Sequence, residues 1–165
     1  MKKLRLLILM TVFFAGVLNL STEAQVVAVE GDVANAFKID ATSFASMKRI
    51  SITAMAHDGK SHEYSGVSLF DILTKAGAVP NNLLRGKAMA KYVLITAADN
   101  YQVVIALPEI DPAFTDQVIL LADKQDGESL NAGSGPYRLI VPKDKKQARS
   151  VMRVVSIAVQ TAERK

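Results

Sequence analysis

The sequence predicts an α+β fold with mixed, mostly antiparallel sheets and few, short helices. Three observations lead there. Short apolar runs recur along the chain, several of them alternating with polar residues, and Asp-Gly, Asp-Asn and Gly-Pro pairs separate them. Helical spacing of apolar residues appears only in brief stretches. Half of the 165 residues are hydrophobic and 22% are charged, which excludes a mainly disordered or collagen-like chain. That length points to one domain.

The first residues form a separate unit. Met1-Lys2-Lys3-Leu4-Arg5 is a basic head, residues 6–18 are apolar apart from Thr11 and Gly16, and Thr22-Glu23-Ala24 offers a small residue at a cleavage position. This is the pattern of a secretory signal peptide, and the run is too short to span a bilayer. Residues 1–24 are therefore expected to be removed after Ala24, leaving residues 25–165 as the domain, exported to the periplasm or secreted, with no membrane span in the mature protein. Cleavage removes three of the 20 basic residues (Lys2, Lys3, Arg5) and one of the 16 acidic ones (Glu23), leaving a net of +2. So small a charge gives no footing for nucleic acid. The chain contains no cysteine. Disulfides, thiolate metal sites, thiol nucleophiles and lipid attachment at a Cys are thereby excluded, and an ordinary apolar core must hold the domain.

In the remaining chain, Val26 to Glu30 and Ala36 to Ile39 suit two strands joined by a turn at Gly31-Asp32. Asp40 or Thr42 caps a brief helix that buries Phe44 and Met47. Arg49 to Ala56 alternates Ile50, Ile52 and Ala54 with other residues, as a half-buried strand does. His57-Asp58-Gly59-Lys60 signals a hairpin, with Ser61 to Tyr64 returning as its partner. Ser68 caps a helix whose Leu69, Ile72, Leu73 and Ala76 share a face, and Gly77 stops it. Pro80-Asn81-Asn82 opens a loop or short helical turn through Leu84. Lys91 to Ala97 and Tyr101 to Leu107 read as a hairpin about Asp99-Asn100, and Val118 to Ala122 as a short apolar strand. Turns are expected at Gln125–Glu128 and Gly133–Pro136. Tyr137 to Val141 and Val151 to Val159 are expected to close the sheet.

Five strings taken in order carry a resemblance. They are Tyr64-Ser65-Gly66-Val67-Ser68-Leu69-Phe70-Asp71-Ile72-Leu73; Ala97-Ala98-Asp99-Asn100-Tyr101; Ile119-Leu120-Leu121-Ala122 with Asp126-Gly127-Glu128-Ser129-Leu130; Gly135-Pro136-Tyr137-Arg138-Leu139-Ile140-Val141-Pro142; and Ala148-Arg149-Ser150-Val151. Together they resemble the molybdopterin-binding domain of the sulfite oxidase family of oxidoreductases, over roughly residues 27–160. The resemblance implies that family's fold. It also implies a pterin cofactor held partly through the segment Gln147–Val151, with Arg149 clamping a phosphate, Ser150 adding hydrogen bonds and Arg138 supporting from the adjacent strand. Where the family continues with Lys-Trp, this chain has Met152-Arg153; Arg153 or the Lys143-Asp144-Lys145-Lys146 run stands in part for the missing lysine.

The resemblance also calls for a cysteine ligand to molybdenum in the strand before Gly66, and Ile50 to Lys60 supplies none. Alanine or methionine cannot replace a thiolate on an oxidised metal centre. His57 and His62, with Asp58 or Glu63, are weak candidates for a small metal site. No nucleophile elbow, zinc-protease helix, Gly-rich phosphate loop or suggestive carboxylate pair occurs. The expectation is an exported, non-catalytic domain that is not itself an enzyme. It would bind a pterin-like ligand such as molybdopterin, or another small anion, without molybdenum. The alternatives are a module for an exported protein partner with a vestigial pocket, and, less favoured, an active molybdenum oxidoreductase with a non-thiolate ligand.

Overall fold

A computed structural model describes residues 25–79 and 84–162. The expected signal segment, residues 1–24, and the Pro80-Asn81-Asn82 loop lie outside the described residues.

Among the described residues, ten strands form two sheets. Strand β1 (Val27–Gly31) pairs antiparallel with β2 (Phe37–Ile39), as the Gly31-Asp32 turn predicts. A short helix α1 (Ala41–Ala45) follows, capped by the Asp40 side chain, which accepts from the Ser43 amide; Phe44 is its buried residue. Strands β3 (Ile50–Met55) and β4 (Ser61–Ser68) make the expected hairpin about Asp58-Gly59. Helix α2 (Leu69–Lys75) starts at Ser68, whose Oγ accepts from the Asp71 amide, and buries Leu69, Ile72 and Leu73. Gly77 takes a left-handed φ of 69° just beyond it. Strands β5 (Lys91–Ala97) and β6 (Gln102–Ala106) form the second hairpin.

Four expectations shift. Strand β4 runs on to Ser68 instead of ending at Tyr64, because Gly66 lets its backbone close on β7 (Leu120–Gln125). A Cβ at Gly66 would sit 2.0 Å from the Leu121 carbonyl oxygen. Strand β7 itself begins at Leu120 and carries Asp123, Lys124 and Gln125, since pairing with β4 outweighs their polarity. A 3-10 turn over Gly86–Ala90, carrying no periodic signal, precedes β5. Finally, the last two strands do not close one sheet. Strand β9 (Arg138–Ile140) pairs with β7, beside the two-residue β8 (Glu128–Ser129). Strand β10 (Val154–Thr161) instead enters the first sheet between β1 and β5, parallel to β1.

The first sheet thus runs β2-β1-β10-β5-β6 and the second β3-β4-β7 with β8 and β9 on the far edge of β7. Alternate residues of each sheet face a shared core that includes Val29, Leu73, Ile95, Leu121, Leu139 and Ile157. The second sheet buries its opposite face as well: Ala54, Tyr64, Leu120, Ala122 and Ile140 form a smaller cluster with Ile50 and Ile52 against it. Arg138 lies in register with Ala122 and so belongs to this second face. Backbone bonds from Leu139 to Val151 (2.8 Å) and from Val154 to Tyr137 (2.9 Å) bind residues 151–154 alongside β9 and join the sheets.

Candidate functional site

Two cavities adjoin where those segments meet, and His57 and Met152 line both. The first, about 270 Å³, is bounded by Asp99 and Tyr101 of the β5–β6 turn and by Gln147, Ala148 and Ser150. Tyr101 closes one side by donating its hydroxyl to the Ala148 carbonyl at 2.9 Å. The second, about 360 Å³, is bounded by Asp58, His62, Asn131, Ser134 and Arg138. The sequence-derived residues His57, His62, Arg138 and Ser150 therefore share one connected region.

Arg149 is engaged by the protein itself. Its Nε and one terminal nitrogen donate to both oxygens of Asp144 (2.8 and 2.7 Å), and the other terminal nitrogen donates to Glu109 at 3.0 Å. These bonds, the Asp144 pair foremost, raise its pKa further above the ordinary guanidinium value. Asp144, which the sequence offers only as an interruption in a lysine run, is thus the partner of Arg149. Ser150 is buried, and its Oγ accepts from the Val141 amide at 3.1 Å, pinning the end of β9.

His62 is held from both sides. Its Nδ1 meets Asp126 at 2.5 Å and its Nε2 meets Asp58 at 3.0 Å. Ionised carboxylates only accept, so with both of them ionised the arrangement favours the ring form that donates from both nitrogens, the imidazolium. The Asp126 bond first, and the Asp58 bond second, hold its pKa above the ordinary 6.5. Asp126 and Asp58 are correspondingly lowered: the former chiefly by His62, the latter chiefly by the Lys60 amide. With both nitrogens engaged, His62 has no lone pair to offer a metal in this arrangement. Among the described residues no group of three or more His, Asp or Glu side chains is placed to hold a metal ion.

Arg138 differs from Arg149. It is 95% buried, its exposure being 5%, and no described carboxylate pairs with it; the ion pairs involve Arg49, His62 and Arg149. Its guanidinium lies over the Tyr64 ring, and its Nε and the Tyr64 hydroxyl are both buried without a hydrogen-bond partner. Burial raises the Tyr64 pKa, so its hydroxyl stays protonated. Asn131 carries no signal in the sequence, lying between the two expected turns, and Tyr64 enters only as a strand residue opening the first of the five strings.

A third cavity, about 320 Å³, lies between α2 and residues 110–119 and is lined by Ser68, Phe70, Ile110 and Val118, with none of His57, His62, Arg138, Arg149 or Ser150 in its wall.

Residues 15–165 match the model of the oxidoreductase molybdopterin binding domain. The chain belongs to that family. No curated protein matches this molybdopterin-binding domain by sequence. Its structure is similar to the crystal structure of the sulfane dehydrogenase SoxCD from Paracoccus pantotrophus, with a TM-score of 0.65 at 18% identity. The match covers 82% of this chain and 38% of that one, so the domain spans well under half of that protein's chain, and at this identity the likeness is one of fold. Among the described residues no helix is long and apolar enough to cross a membrane.

Proposed function

We propose that this member of the family is an exported, non-catalytic domain that binds a pterin-like or other small anionic ligand and carries no molybdenum. The observation behind the reading is Arg138: a buried guanidinium, free of any described carboxylate, in the wall of an open cavity. A desolvated cation needs a counter-charge, and an anionic ligand supplies it.

The family cofactor fits the residues only in part. The phosphate or pterin of such a ligand finds donors at Arg138 and in the adjoining cavity beside Ser150 and Gln147. A molybdenum held by a protein thiolate does not fit, because the chain contains no cysteine. Arg149 joins the ligand only if it leaves Asp144 and Glu109. That internal pairing supports the second reading, a vestigial pocket in a module for an exported protein partner.

The test is to express the full chain in a host that makes the cofactor, recover the exported protein, and measure bound metal and pterin fluorescence after oxidation. Pterin without stoichiometric molybdenum, on a chain beginning at Gln25, is the expected result. Stoichiometric molybdenum overturns the non-catalytic reading. No pterin, together with Arg138→Lys and Arg149→Ala variants indistinguishable from wild type in ligand screens, favours the interaction module.

A further inference from the structure

We infer that the cavity beside Arg138 receives a terminal oxyanion group (carboxylate, sulfate or phosphate), gripped by Arg138 and the Asn131 amide. The inference rests on the reading that this cavity is the ligand site, and it names the part of the ligand that enters.

The carboxylates beside this wall are already engaged by hydrogen bonds, and Arg138 is paired with neither of them. Asp58 accepts from the Lys60 amide and from His62, and Asp126 accepts from His62 and the Glu63 amide. Asn131 Oδ1 accepts from the Gly133 and Ser134 amides, both at 3.0 Å, which fixes it as the oxygen and leaves Nδ2 as the unengaged donor among the described residues. Arg138 adds a guanidinium without a carboxylate and with an unpartnered Nε. A recessed guanidinium with no paired carboxylate, beside an open amide donor, favours an acceptor-rich, negatively charged group. Because Arg138 is recessed, only the narrow end of a ligand reaches it, and a guanidinium fork matches two oxygens of one group.

The experiment uses the full chain and inorganic sulfate and acetate as probes, read by the side-chain Nε–H signal of Arg138 in nitrogen-15 NMR. Sodium chloride at matched ionic strength serves as the control. A saturable shift with either oxyanion, absent with chloride, is expected; sulfate and acetate separate tetrahedral from planar preference. Asn131→Ala should weaken binding roughly tenfold, the loss of one hydrogen bond to a charged group, while Lys75→Gln on α2 leaves it unchanged. Arg138→Lys keeps the charge and loses the fork, and should also weaken it. A signal that does not move, or drifts linearly as it does with chloride, overturns the inference without needing any variant to fold. Pterin bound with no oxyanion response at Arg138 keeps the pterin reading and removes this inference; an oxyanion response without bound pterin keeps the inference and removes pterin as the ligand.

Discussion

The guanidinium carbon of Arg138 stands 5.6 Å from the centre of the Tyr64 ring, and neither the Arg138 Nε nor the Tyr64 hydroxyl has a hydrogen-bond partner. The ring face offsets part of the cost of burying the cation. The hydroxyl, by contrast, makes no close hydrogen bond in the second apolar cluster, and only the Arg138 charge beside it offsets its burial. Tyr64→Phe should therefore leave the fold intact and raise stability by up to about 1 kcal/mol, because removing a polar group without a close hydrogen bond outweighs losing its interaction with the Arg138 charge. Urea denaturation at constant slope checks this, and a clear destabilisation would mean the hydroxyl has a partner after all.

Ser150 is expected to behave as a structural residue. Ser150→Ala strips the buried Val141 amide of its acceptor and should cost roughly 1–3 kcal/mol, the usual loss for an orphaned buried donor. Its effect on oxyanion binding should be far smaller than that of Asn131→Ala, which titration on both variants decides.

Gly66 has no room for a side chain. A methyl group there meets the Leu121 carbonyl oxygen and the Ala122 Cα at once, so the β4–β7 pair must separate. Gly66→Ala should cost about 3 kcal/mol or more and lower the yield of folded protein. A stable Gly66→Ala protein with an unchanged melting temperature would contradict the strand register.

The His62 clamp makes stability depend on pH with a definite sign. Its folded pKa lies above 6.5, so its contribution is complete below that value and is lost as pH rises through the raised one. Asp58 and Asp126 lie below the ordinary carboxylate value; their contribution is present above it and is lost as pH falls through the lowered values. Melting temperatures should therefore decline on the alkaline side of 6.5 in wild type, and the decline should flatten in His62→Gln.

Arg149 and Asp144 should couple measurably. Both are partly exposed, so the bidentate pair is worth about 1 kcal/mol. A double-mutant cycle with Arg149→Ala and Asp144→Ala reads the coupling directly, and a value near zero would leave Arg149 free for other partners.

Much of the fold was legible locally. The Asp58-Gly59 hairpin, the Ser68 cap with Leu69, Ile72, Leu73 and Ala76 on one face, and the β5–β6 pair all follow from periodicity and turn residues within a dozen positions of one another. The extension of β4 past Tyr64 was not, because it depends on Gly66 meeting a strand far along the chain. The site shows the same division. Arg138 and Ser150 stand out in the string Gly135–Pro142 and the Ala148–Val151 segment, whereas Asn131 stands in none of the strings, and the place of Tyr64 under Arg138 arises only from neighbours in space.

Composition and short-range pattern by themselves determined the α+β class, the family resemblance, the absence of a thiolate and most element positions, for these depend on the residues and their immediate spacing. Only the tertiary structure decided that the last strand runs parallel to the first and that Asp144 and Glu109 hold Arg149. It alone placed two aspartates on His62 and none on Arg138. Charge pairing acts over a few ångströms of space, and separation along the chain carries no record of which groups the fold will bring that close.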